Sequence, residues 1–191
     1  MVARTDGSRR VVLRSAIAAL LLCASALASA ADWAAFGEPG AVAIMRHALA
    51  PGTGDPANLT LDDCATQRNL DARGRAQARA IGSALRENGV AFDAVLSSQW
   101  CRARDTAVLL GLGPVTDAPA LNSFFNDFST RDAQTAALRE IIEQAPGPLM
   151  LVTHQVNISA LTGVGTRSGE VLIVRLTPTG TELLGRVMLS P

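Results

Sequence analysis

Three aliphatic runs in this chain each stop on a residue with chemistry. Ala41-Val42-Ala43-Ile44-Met45 runs into Arg46-His47. Leu149-Met150-Leu151-Val152-Thr153 runs into His154, and Ala94-Val95-Leu96 ends on Ser97-Ser98, shortly before Arg102. Short continuous apolar runs read as strands buried on both faces. Ligands of open α/β sheets sit beyond the carboxyl ends of such strands. The pattern therefore predicts one site built from Arg46, His47, Arg102 and His154, which are strand-end or near-strand-end residues in a chain with only two histidines.

Between the runs the period changes. From Asp71, Ala76, Ala80, Ile81, Ala84 and Leu85 fall at helical spacing, and Asn88-Gly89 stops the helix. A second helix from Cys101 carries Ala103, Thr106, Ala107 and Leu110 inward and ends at Gly111. A third spans 131–144, capped by Ser129 or Thr130, with Ala133, Ala137, Leu138, Ile141 and Ile142 on its apolar side. A short strand fits Pro114-Val115-Thr116, and a short helix follows His154. Val171–Arg175 and Glu182–Met188 flank Thr177-Pro178-Thr179-Gly180 as a terminal hairpin. This alternation predicts a single α/β domain: a three-layer sandwich with a mostly parallel central sheet and helices on both faces. Residues 48–69 and 117–130 remain as long loops, which over a site are often functional.

Composition adds three constraints. All 17 basic residues are arginine, so any anion here is held by guanidinium forks, which grip two oxygens at once. The formal net charge of zero gives no nucleic-acid-binding surface. The N-terminus reads as an export signal: Arg4, Arg9, Arg10 and Arg14, an apolar stretch over 15–27, then Ala28-Ser29-Ala30, with Ala31 as the new start. The apolar stretch is too short for a stable membrane span. Ser8 to Arg14 also resembles a twin-arginine signal without its aromatic. Cleavage leaves a 31–191 domain with 13 basic and 16 acidic residues, a formal charge of −3. It also removes Cys23, leaving Cys64 and Cys101. An even count in a periplasmic or secreted chain favours a disulfide over two buried thiols.

The residues at the predicted site resemble a known family. Met45-Arg46-His47-Ala48 is similar to the Arg-His-Gly signature of the histidine phosphatase superfamily, which includes phosphoglycerate mutases. Leu70 to Ala78 resembles that family's Leu-x-x-x-Gly-x-x-Gln-Ala helix start. Ser97 to Ala107 resembles its Ser-(x)-Arg-Ala-x-x-Thr-Ala segment, and Val152-Thr153-His154 its second histidine motif. Four motifs in family order cover roughly 41–162. The resemblance implies that Arg46 and Arg102 bind the phosphoryl group, that His47 attacks phosphorus to give a phosphohistidine, and that His154 binds an equatorial oxygen. It implies no metal or other cofactor, and a small phosphorylated substrate. The start of the helix near Ser98–Cys101 is expected to add backbone N–H donors.

Two positions depart from the family pattern. Ala48 stands where glycine is usual. No glutamate occurs between Glu87 and Glu140, where many members carry a proton donor in the second loop; Asp127 is the best substitute and Asp55 the second. Competing readings are a phosphate- or phosphosugar-binding domain without turnover, and a phosphohistidine phosphatase acting on proteins. A metal centre lacks ligand spacing, since Asp55, Asp62 and Asp63 are scattered in a loop. A serine nucleophile lacks the Gly-x-Ser-x-Gly turn. The expected activity is that of an exported phosphatase for an envelope phosphosugar such as the heptose phosphate of the lipopolysaccharide core.

Overall fold

The computed structural model describes Met1 and residues 33–189. The export signal expected over 1–30 lies outside the described residues. The strands are β1 (Val42–Arg46), β2 (Ala94–Ser97), β3 (Val115–Asp117), β4 (Leu149–Thr153), β5 (Val171–Thr177) and β6 (Gly180–Val187). They form one sheet in the order β3-β2-β4-β1-β5-β6. β1 to β4 pair in parallel, whereas β5 runs antiparallel to β1 and to β6. The terminal hairpin closes through Pro178-Thr179, with Thr177 opposite Gly180.

The two central strands explain the unbroken apolar runs. Side chains alternate between faces along a strand. Ala43, Met45, Met150 and Val152 pack under α1 (Ala72–Glu87) and α2 (Cys101–Leu110). Val42, Ile44, Leu149 and Leu151 pack against α3 (Arg131–Gln144) and α4 (Gln155–Thr162). Both faces are covered, so neither strand has a polar side. This is the three-layer α/β sandwich that the alternation predicted. No described helix is long and apolar enough to cross a membrane.

The buried helix faces differ from those expected. α1 buries Gly74, Gln77, Ala78, Ile81, Gly82 and Leu85, while Ala76 and Ala80 are exposed. The reason is close approach: a Cβ at Gly82 would lie 1.8 Å from the Leu110 carbonyl oxygen, and one at Gly74 1.9 Å from that of Leu49. The contact residues are the smallest ones, which a count of apolar positions passes over. α3 buries Leu138 and Ile142 but exposes Ala133. Thr130 occupies its N-cap position, yet its hydroxyl bonds the Asp127 carbonyl and the Gln134 amide oxygen instead of a free helical N–H.

Candidate active site

β1, β2 and β4 end in step, with Met45 and Ser97 both opposite Val152. Just beyond, the His47 N–H donates to the Thr153 carbonyl (3.0 Å) and the Ser98 N–H to that of Val152 (2.9 Å). The Gly169 N–H reaches the carbonyls of Arg46 and His47 from the turn before β5. This register brings His47 and His154 to a ring separation of 5.4 Å. Arg102 joins them from the first turn of α2, only 3% exposed. The four strand-end residues singled out by the sequence thus share one cavity of about 350 Å³.

His47 is held as a neutral base. Its Nδ1 lies 2.7 Å from the Ala48 carbonyl oxygen, which accepts only from an N–H. Nε2 is therefore the unprotonated nitrogen, and it accepts from Arg102 Nε at 3.2 Å. Burial first, then the Arg102 charge, pushes the His47 pKa down to about 3. His154 is likewise lowered well below its ordinary value, chiefly by burial and then by His47 and the arginines. The Ala48 methyl does not narrow the pocket: it packs with Ala50, Leu70 and Ala78, and no non-glycine residue described has positive φ. The Ala48 N–H donates to Thr106 Oγ1 (3.0 Å), which ties the turn after His47 to α2.

These pKa shifts have a sign that can be tested. The unfolded chain takes up protons near pH 6.5, but the folded His47 resists them until about 3. Its contribution to stability is full above pH 6.5 and is lost as pH falls from there toward 3. Ring NMR of the free protein is expected to show His47 still neutral at pH 5 and His154 titrating well below its ordinary range. Bound inorganic phosphate, by offsetting the arginine charges, is expected to raise both transitions. Free-protein transitions near 6.5 would contradict this electrostatic account.

His154 is oriented through a relay absent from the sequence reading. Its Nε2 lies 2.8 Å from Ser98 Oγ, which also reaches Asn122 Oδ1 at 3.3 Å. A hydroxyl can donate or accept, so the relay fits either a neutral or a protonated His154. The backbone donors expected at the start of α2 are spoken for: Gln99 N–H donates to Asn122, Trp100 N–H to Ser98 and Cys101 N–H to Gln67. The donors left to face the cavity are those of side chains.

Among those side chains, Arg46 has no hydrogen-bond partner among the described residues, and its Nε is buried. Arg68, which the sequence reading did not single out, also lines the cavity and is braced by the carbonyls of Ala50 and Gly54. Arg102 is not free. Its Nη1 and Nη2 grip both oxygens of Asp55 at 2.6 and 2.9 Å, with the side chains 4% and 7% exposed. Burial favours the neutral acid at Asp55, but Arg102, the Arg68 N–H and the Trp100 indole outweigh it and keep the pKa below the usual carboxylate value. Asp127 lies on the cavity rim. Its carboxylate accepts from the Ser129 hydroxyl and N–H, which hold it ionised below the ordinary range. No three His, Cys, Asp or Glu side chains gather as a metal site among the described residues.

Cys64 and Cys101 form a disulfide with Cα atoms 5.8 Å apart. It fastens the 48–69 loop to the residue immediately before Arg102.

The model of the histidine phosphatase superfamily, branch 1, matches residues 42–125, the span that carries Arg46, His47 and Arg102. The matched segment belongs to the histidine phosphatase superfamily. No curated protein matches the sequence. Among solved structures, this chain is similar to the protein histidine phosphatase SixA complexed with tungstate, at 18% identity over 76% of this chain and 95% of that one, with a TM-score of 0.54. A proposed α-ribazole-5′-P phosphatase from Escherichia coli gives 22% identity over 75% and 94%, with a TM-score of 0.54. A phosphoglycerate mutase from Thermus thermophilus gives 20% identity over 78% and 99%, with a TM-score of 0.55. At these identities the likeness is one of fold.

Proposed function

We propose that this histidine phosphatase is an exported, metal-independent hydrolase that cleaves a phosphomonoester through a phosphohistidine on His47. One observation carries the reading: an unprotonated His47 Nε2 shares the cavity with the Arg46 guanidinium, whose donors no other described group uses. At the inner end of the cavity three guanidiniums, Arg46, Arg68 and Arg102, face the single carboxylate of Asp55. That excess of positive charge suits a phosphomonoester dianion. Arg46 and Arg102 hold the phosphoryl oxygens, His47 attacks phosphorus in line, and His154 steadies an equatorial oxygen as charge builds. Water then releases phosphate from His47.

The outer cavity supports a neutral leaving group. Phe124, Phe125 and Val156 line it, and Trp100 stands against His154. The charge lining this end of the cavity is the carboxylate of Asp127, which repels a leaving group with its own carboxylate or second phosphate. That favours hydrolysis of an envelope phosphosugar, such as lipopolysaccharide core heptose phosphate, over phosphoglycerate interconversion. Export rests on the signal pattern at 1–30 and on paired cysteines, which persist in oxidising compartments.

The test is to quench turnover of a ³²P-labelled phosphomonoester in alkali with EDTA present. Acid-labile, base-stable label on His47 is the expected result. Absence of label and of turnover, with inorganic phosphate still bound, would leave a phosphate-binding domain. Cell fractionation tests export: an envelope form beginning at Ala31 supports it, and an uncleaved cytoplasmic form refutes it.

A further inference from the structure

We propose that Asp55 is the general acid of this reaction, and that the incoming phosphoryl group arms it by taking over Arg102. The proposal rests on the phosphohistidine reading above. Asp55 is the carboxylate that reaches the inner cavity, and it occupies donors that a phosphoryl group needs. Its Oδ1 also accepts from the Arg68 N–H (3.1 Å), and its Oδ2 from the Trp100 indole (3.2 Å). The charged groups facing it are Arg102 from α2 and Arg68 from its own loop; Arg46 and His47, at the end of β1, line the same cavity. In the free protein this set holds Asp55 as a carboxylate.

A phosphoryl dianion is a stronger partner for a guanidinium fork than a single carboxylate. When it binds Arg102, Asp55 loses its two shortest hydrogen bonds and gains a dianion as neighbour. Loss of its countercharge, nearby negative charge and burial all then favour the carboxylic acid. The cavity that Asp55 lines, about 350 Å³, gives the side chain room to follow. Asp127 offers no such change: it stays at the rim, satisfied by its own turn.

The chemistry balances. As the His47 Nε2–P bond forms, the ester P–O bond breaks, and its oxygen leaves as the alcohol with the Asp55 proton. In the second half, water attacks phosphorus and gives a proton to the Asp55 carboxylate. The N–P electron pair returns to Nε2, which restores His47 and the acid and frees hydrogen phosphate.

The test compares kcat/KM of wild type and Asp55→Asn on p-nitrophenyl phosphate, whose leaving group needs no proton, and on phenethyl phosphate, whose leaving group does. Asp55→Ser is read beside them. The expected result is a loss of about 100-fold or more on phenethyl phosphate and less than about 10-fold on the nitrophenyl ester. Retained nitrophenyl turnover shows at the same time that the fold survives. The alkaline limb of the wild-type phenethyl profile should vanish, and vanadate inhibition should not weaken. Equal losses on both esters with weaker vanadate inhibition would overturn the proposal and leave Asp55 as a brace for Arg102. Equal gains would overturn it in favour of a plug. A wild type that cleaves only the nitrophenyl ester would show that no acid operates. A wild type without phosphohistidine would instead remove the underlying reading, and this one with it.

Discussion

Arg102→Ala is expected to lower stability and turnover together, by amounts that can be separated. Arg102 is 3% exposed and touches His47 Nε2, both Asp55 oxygens and the Arg68 carbonyl. Its removal leaves the Asp55 carboxylate buried without a countercharge. Breaking a buried pair from one side destabilises by about 3–5 kcal/mol. Urea unfolding should show a loss of that size at neutral pH. The deficit should begin to shrink already above about pH 4, the ordinary range of an aspartate, because burial without a countercharge lets Asp55 protonate there. The double variant Arg102→Ala/Asp55→Ala should recover much of the stability, since no orphan charge remains. It should recover no turnover. The lost fork alone should lower kcat/KM by about 1,000-fold, at the upper end of the effect of deleting one donor to a developing charge. Arg102→Lys restores the charge but not the two-point grip, so it should rescue stability better than rate. A single alanine variant with unchanged stability would mean that Asp55 has another countercharge, with Arg68 the nearest choice.

The contrast between Arg102 and Asp55 marks where the sequence can be read. Arg46, His47 and His154 are legible because they end apolar strands, and strands buried on both faces announce themselves as unbroken runs. Arg102 is legible from its place just beyond Ser97-Ser98, at the start of a helix with a clear apolar face. The pairing of Cys64 with Cys101 follows from the expectation that cleavage of an export signal would remove Cys23. Asp55 has no such signal. It lies in a loop without period, and its contact with Arg102 spans 47 positions. Arg68 and the Ser98–Asn122 relay are hidden for the same reason.

Two other differences between sequence pattern and structure have a common physical origin. Apolar positions mark one face of α1, yet its closest contacts are made by Gly74 and Gly82, where a backbone carbonyl leaves no room for a methyl. The N–H groups at the start of α2 are placed to meet phosphate, yet Gln67, Ser98 and Asn122 take them first. In both cases a backbone group decides the outcome. Side-chain patterning carries no record of which carbonyl or N–H is already satisfied.

Removing the disulfide is the second large effect expected. Cys64 opens the short 3-10 turn Cys64–Thr66, and Cys101 is the first residue of α2. The bond closes a separation of 37 residues. In the loop-entropy account that constraint is worth about 4 kcal/mol, a substantial part of the roughly 5–15 kcal/mol that holds a typical domain together. Cys64→Ser/Cys101→Ser should therefore unfold at a clearly lower urea concentration, and reductant should move wild type toward it. Turnover should fall as well, because the loop tied down at Cys64 continues through Gln67 to Arg68. Gln67 accepts the Cys101 N–H at 2.9 Å, and the Arg68 N–H holds Asp55. Slackening that segment loosens Asp55 and Arg68 while Arg46, His47 and His154 stay on the sheet. The loss should therefore be larger on phenethyl phosphate, which calls on Asp55, than on p-nitrophenyl phosphate. Equal stability of the oxidised wild type and the double serine variant would show that Gln67 and Arg68 anchor the loop unaided. A large difference would make the bond a condition of full stability, so that a chain retained in a reducing compartment would be the weaker form of the same enzyme.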